Sequence, residues 1–150
     1  MDENQINKSL EKVKRYQGSF ALDELKEIKV FKQPTFAIIN LDPRKATGVH
    51  WIAIAIYFKD IYICDSLGGL IPNQNFPFQL VEFLHNLSVT RNLHITKQLQ
   101  PDSSHLCGLY CITFINQMSK SNSFRDFIAL FSRNLYQNDV IVQFVNKGVI

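Results

Sequence analysis

One hundred and fifty residues, 46% apolar and 19% charged with twelve Phe, describe a chain able to bury a core as a single domain over 1–150, and exclude a disordered or fibrous one. The longest apolar run, Trp51 to Phe58, is too short to cross a bilayer, so no membrane partner is expected. The formal charge of +3 is scattered, with Lys12, Lys14 and Arg15 the only dense basic patch; a solvated face is expected there, and nucleic acid at most as a weak partner through its phosphates.

The polar start, Met1 to Gln5, lacks the basic-then-apolar order of a secretory signal. Cys64, Cys107 and Cys111 match no disulfide framework, which points to a reducing, intracellular setting. Ile6, Leu10 and Val13 recur at helical spacing, and Gly18 stands where that helix would end. Leu22 to Ile28 reads as a turn or helical piece. Thr35 to Leu41 reads as a buried strand, followed by a loop marked by Asp42-Pro43 and Gly48. Val49 to Phe58, apolar on both faces, is the pattern of a central strand, and Ile61 to Asp65 is its expected hairpin partner.

Ser66 to Gly69 breaks the strand pattern, and Pro72 and Pro77 extend the loop. Leu80, Val81, Leu84 and Leu87 then form a helical stripe, and Leu93 to Leu99 is the next expected strand. Pro101 ends it, and Asp102 to Ser104 offer capping groups. Cys107, Tyr110, Cys111, Phe114, Ile115 and Met118 share one face of a central helix. Amphipathic stretches at Phe124 to Leu135 and Val140 to Val145 complete the core. The order of helix, strands, helix, strand and helices predicts an α+β fold.

Four residues in this frame carry complementary chemistry: a nucleophilic thiol (Cys107), a base (His50), an anion to orient it (Asp65) and an oxyanion donor (Gln100, with the Cys107 backbone N–H). Even-numbered residues of a strand share a face, so a hairpin turning through Tyr57 to Asp60 pairs Ile56 with Ile61 and sets Asp65 one diagonal step from His50, about 7 to 8 Å between Cβ atoms. A tighter turn at Lys59-Asp60 would separate them. Cys107 in the first turn of its helix has the setting that favours a thiolate, Gly108 removes bulk beside it, and Trp51 is expected to pack the core, a place compatible with shielding the pair from water.

The motifs resemble the adenain-like maturation proteases of adenoviruses and related viruses and transposons: Gly48-Val49-His50-Trp51, Asp65-Ser66-Leu67-Gly68, and Gln100 seven residues before Cys107-Gly108-Leu109-Tyr110-Cys111. The resemblance implies an adenain-like, papain-like cysteine peptidase fold, a mixed sheet packed against the central helix that bears Cys107. It also implies a Cys107, His50, Asp65 triad with Gln100 as oxyanion donor, and cleavage of viral or transposon precursors at Gly-containing sites, inside the host nucleus or cytoplasm or within the virion. The related proteases of ubiquitin-like modifiers make modifier removal the alternative, and a silent binding module of the same fold a second. No cofactor or metal is expected to be required, and the protein is expected to be a monomer. The adenovirus enzymes carry Glu in place of Asp65 and tether an activating peptide through a cysteine between the acidic motif and the nucleophile. Ser66 to Leu106 contains no cysteine and the chain is shorter, which disfavours an activating peptide or DNA.

The remaining candidates have plainer readings. Cys64 and Cys111 are expected in the core, and Gly68-Gly69 as a turn rather than a cleavage site. A zinc site from His105, Cys107 and Cys111 with His85 or His94 lacks the paired ligands such sites show, and these three histidines are expected on the surface.

Overall fold

The computed structural model describes residues 1–30, 34–41, 50–70, 76–121 and 123–148; the loop expected at Asp42 to Gly48, with Val49 and Pro72, lies outside them. Five strands form one mixed sheet in the order β1 (Tyr16–Ala21), β2 (Thr35–Asn40), β3 (Trp51–Ile56), β4 (Asp60–Cys64), β5 (Asn92–Ile95). The outer pairs, β1 with β2 and β4 with β5, are parallel, and the two inner pairs antiparallel. Every residue of β2 and β3 is buried, as the two-sided apolar pattern requires.

Strand alternation sorts the core into two layers. Trp51, Ala53, Ala55 and Cys64 pack against α3 (Cys107–Ser121), with α1 (Glu3–Leu10), α4 (Phe124–Ala129) and α5 (Leu135–Val145) around it. Ile52, Ile54, Ile56, Ile61 and Ile63 pack on the opposite face under α2 (Phe78–Ser88) and a 3₁₀ turn at Leu22–Glu27. Alanines at 53 and 55 bring α3 close to the sheet, and Cys111 Sγ donates to the Trp51 carbonyl at 3.4 Å. The expected α+β architecture, a mixed sheet on the helix that begins at Cys107, is the one observed. Among the described residues, no helix is long and apolar enough to cross a membrane.

Several elements depart from the sequence reading. The first helix ends at Leu10, and the chain turns through Arg15 (φ 67°) into β1, which the reading missed. Gly18 therefore lies inside a strand, at φ 118° beside a shift in register between Tyr16 and Ser19, rather than at a helix end. β5 stops at Ile95 instead of Leu99, because the Thr96 side chain turns to hold the backbone of Asp65. In α2 only Leu80 and Leu84 of the expected stripe are fully buried; Val81 is exposed. The single stretch expected over Phe124 to Leu135 is broken, since Leu135 opens α5, capped by the Asn134 side chain on Tyr136 N–H.

The Gly68-Gly69 pair is a turn. Gly68 N–H donates to the Asp65 carbonyl at 2.9 Å with φ 67°, and a methyl at Gly68 would lie 2.5 Å from the Gln98 backbone nitrogen. Only glycine meets both demands. That close approach carries the 96–100 segment past the end of β4.

Candidate active site

The hairpin register decides whether His50 and Asp65 meet. Ile56 pairs with Ile61 and Ala53 with Cys64, and Tyr57 N–H donates to the Asp60 carbonyl at 2.8 Å, which is the longer turn the chemistry requires. Alternation alone would send His50 to the face of Ile52 and Ile54, away from α3. His50 and Asp65 instead lie one residue beyond the ends of β3 and β4, where the sheet finishes and α3 begins. There the His50 Nε2 and Asp65 Oδ1 stand 2.7 Å apart, with His50 partly exposed and Asp65 buried.

Burial of the His50 ring opposes its charge. Its hydrogen bond to Asp65 and the electrostatic influence of Asp65 and Cys107 outweigh that penalty and push its pKa up to about 9. Burial likewise opposes ionisation of Asp65, yet the His50 ring and the backbone N–H groups of Leu70 and Leu67 hold its carboxyl below the usual value. The Leu70 bond, at 2.9 Å to Oδ2, leaves Oδ1 for the imidazole. Asp65 is further fixed through its own backbone, which gives its N–H to the Thr96 hydroxyl and takes that hydroxyl's proton on its carbonyl, both at 2.9 Å.

Gln100 is buried yet lines the same cleft, of about 440 Å³, as His50, Trp51, Cys107 and Gly108. Its amide is oriented from both ends: the Ser66 hydroxyl donates to Oε1 at 2.6 Å, and Nε2 donates to the Ser104 carbonyl at 2.8 Å. An amide nitrogen carries two hydrogens, so one remains for a ligand in the cleft. The carbonyl of neighbouring Leu99 accepts from Asn138 Nδ2 at 2.9 Å, which ties this segment to α5, and the Tyr110 hydroxyl donates to Asp139 Oδ1 at 2.8 Å, which ties α3 to α5.

Ser66 is the supporting residue the sequence reading missed. It fixes Gln100 through its hydroxyl, and its carbonyl accepts the N–H groups of Leu99 (2.8 Å) and Gln100 (2.9 Å). Ser66→Ala is expected to leave a buried amide oxygen without its donor, costing about 1–3 kcal/mol. It should also lower kcat on the order of tenfold with KM little changed, because the amide loses its fixed orientation. Thermal melting combined with steady-state kinetics checks both.

Cys107 is the first residue of α3 and is 7% exposed. The first N–H groups of a helix have no acceptor within it, so its own backbone points a donor toward the cleft. The expected capping by Asp102 to Ser104 falls short of the helix: the Ser104 hydroxyl accepts from Leu106 N–H at 3.3 Å, and the Leu106 carbonyl starts the helical ladder. The room expected beside Gly108 is taken by the Met1 and Ile6 side chains. Trp51 is 6% exposed, packing in the α3 core while also lining the cleft.

The other two thiols are fully buried, and burial raises the pKa of both, so they sit in the core as protonated thiols. His85, His94 and His105 are exposed; His94 pairs with Asp60 at 2.9 Å and stacks on Tyr62. Among the described residues no group of His, Cys, Asp and Glu gathers as a metal site.

Solved structures share this fold at low sequence identity. The ASFV pS273R protease aligns with a TM-score of 0.54 and 15% identity over 95% of this chain and 66% of its own. ChlaDub1 of Chlamydia trachomatis aligns at 0.53 and 16% over 75% and 59%. The Chlamydia trachomatis effector Cdu1, solved bound to ubiquitin, aligns at 0.53 and 15% over 85% and 75%. In sequence, the protease of Bovine adenovirus 4 is 37% identical over 93 residues, 53% of this chain and 44% of its own length. That of Ovine adenovirus D is 34% identical over 108 residues, 61% and 52%. The chain thus spans about half the length of these curated relatives. A profile of the adenovirus endoprotease family matches residues 27–131, a stretch that contains His50, Asp65, Gln100 and Cys107, and the chain belongs to that family.

Proposed function

We propose that the protein is a cysteine endopeptidase that cuts viral or transposon precursor proteins at Gly-containing sites. The observation that carries the reading is a single imidazole, His50, hydrogen-bonded to the Asp65 carboxylate and lining one open cleft with Cys107 and Gln100. In the cycle, the Cys107 thiolate attacks the scissile carbonyl carbon. Charge gathers on the carbonyl oxygen, which the remaining N–H of the Gln100 amide and the Cys107 backbone N–H receive in this reading.

As the C–N bond breaks, the His50 imidazolium gives its proton to the leaving amine, producing an amine and a thioester at Cys107. Neutral His50 then takes a proton from water while that water attacks the thioester carbonyl. Cys107 leaves as thiolate beside the re-formed imidazolium, releasing the acid product. Asp65 keeps the ring oriented and its proton in place throughout. Side chains, peptide and water supply every proton and electron pair, so the cycle requires no metal or organic cofactor, and the reading invokes neither an activating peptide nor DNA. The protein acts as a monomer inside the infected cell or in the virion.

A second reading, removal of a ubiquitin-like modifier, draws support from the fold's likeness to Cdu1, whose structure holds ubiquitin. Incubating the protein with Gly-containing precursor peptides alongside an electrophilic probe ending in a modifier's C-terminal sequence separates the two. Peptide cleavage with slow probe labelling is the expected result. Fast labelling with no peptide cleavage would transfer the assignment to modifier removal, and neither reaction would leave a silent binding module.

A further inference from the structure

The first helix is pinned before it reaches the site. Ile6 and Leu10 are fully buried in the core that also contains α3. On its polar side a hydrogen-bond chain fixes α1 to β1: the Tyr16 hydroxyl donates to Asn7 Oδ1 at 2.6 Å, Asn7 Nδ2 to Ser19 Oγ at 3.0 Å, and Ser19 Oγ to Glu3 Oε1 at 2.7 Å. Asp2 and Gln5 close the N-terminus with reciprocal capping bonds of 2.8 Å. This scaffold leaves residue 1 little choice of position. Met1 lines the same cleft as Cys107, His50 and Gln100.

The contact with Gly108 defines how closely. A methyl on Gly108 would sit 3.0 Å from Met1 Sδ, 3.5 Å from Met1 Cγ and 3.3 Å from Ile6 Cδ1, inside the optimal separation of about 3.5–4.0 Å for two of the three. The hydrogen at position 108 therefore makes room for Met1, not for substrate. Met1 itself is 44% exposed, so one side of its thioether packs on α3 and the other faces the groove.

We propose that Met1 is a specificity-determining wall of the cleft: its thioether, seated over Gly108 beside the nucleophile, narrows the groove and excludes large side chains next to the scissile bond. The inference rests on the peptidase reading and adds to it the origin of a preference for glycine. A wall of this kind acts by size. Removing it opens an apolar space, and fitting an extra methylene into such a space changes kcat/KM by about 10- to 200-fold.

The test uses the 150-residue chain released from a fusion that leaves residue 1 first, as Met, Met1→Leu or Met1→Ala. Each is assayed on peptide pairs that differ only in Gly against a larger apolar residue on one or the other side of the cut. Met1→Ala is expected to lower the Gly-to-large ratio of kcat/KM by about tenfold or more, and Met1→Leu, of similar volume, to keep it. Gly108→Ala should lower kcat/KM by forcing the thioether into the groove, and combining it with Met1→Ala should restore much of that loss. Melting temperatures are measured alongside, since a fold defect alone lowers rates without changing the ratio. A Met1→Ala chain with the wild-type ratio overturns the inference, as does a Gly108→Ala defect that Met1→Ala leaves unrelieved. Wild-type protein that cuts none of the peptides would instead overturn the peptidase reading on which the inference stands.

Discussion

Replacing Cys107 with Ala is expected to reduce peptide cleavage by at least about 10⁴-fold, because the proposed covalent step runs through its sulfur and residues of such a constellation act as a unit. The fold should survive. Cys107 stands at the first position of α3, at the edge of the cleft, and trimming its sulfur removes about as much buried surface as one methylene, worth about 0.8 kcal/mol. Cys107→Ser should be nearly as inactive, since a hydroxyl is a much weaker nucleophile than a thiol. Cys111 is the control. It lies one turn further along α3, fully buried with its pKa raised by burial, and Cys111→Ala should lower the melting temperature while keeping turnover per folded molecule. The measurement is kcat on a cleavable Gly-containing peptide, together with a thermal melt of each variant. Retained turnover in Cys107→Ala would remove the nucleophile from the proposal.

Where the chain's local pattern carries the information, the sequence is enough. An unbroken apolar run from Trp51 to Phe58, a short polar interruption and a second apolar run define the central hairpin. The requirement that Asp65 reach His50 selects the turn in which Ile56 faces Ile61, the register observed. The helical spacing from Cys107 to Met118 likewise marks α3 and its buried face. What escaped depends on partners distant in the chain. β1 pairs in parallel with β2 across the intervening turn, and its sequence, Tyr16-Gln17-Gly18-Ser19, has neither alternation nor β-branched residues to announce a strand.

The support around the site is hidden for the same reason. Ser66 reaches Gln100 across 34 residues, Thr96 reaches Asp65 across 31, and Asn138 reaches the Leu99 carbonyl across 39. Each is an ordinary polar residue at the end of a strand or in a helix, and only the folded arrangement makes it a buried hydrogen-bond partner. The packing of Met1 against Gly108 is the extreme case, since the glycine reads from sequence as open space. The residues with reactive chemistry were legible because their types are few and their spacing constrained; those that hold them in place were not.

Asp65→Asn is expected to move the alkaline limit of activity to lower pH. In the native protein burial lowers the imidazole pKa, and the hydrogen bond to Asp65 with the electrostatic influence of Asp65 and Cys107 reverses this, so that His50 keeps its proton up to about pH 9. Cleavage should therefore hold through neutral pH and fall as pH rises past about 9, where the proton destined for the leaving amine is lost. Asparagine preserves an oxygen for the ring N–H but carries no charge. Burial then acts with less opposition, and the limit should move down toward or below the ordinary imidazole value of about 6.5. At pH 7 the variant would have lost much of its imidazolium, with kcat/KM down on the order of 10²-fold. The same coupling links stability to pH. Because the pKa of His50 is raised on folding, its contribution is complete below 6.5 and disappears as pH rises through about 9. That of Asp65, whose pKa is lowered, disappears as pH falls below 3.8. The stability difference between the native chain and the Asp65→Asn variant should be largest between these limits and shrink beyond either. A variant whose alkaline limit stays near pH 9 would show that the Asp65 carboxylate does not hold the proton on His50.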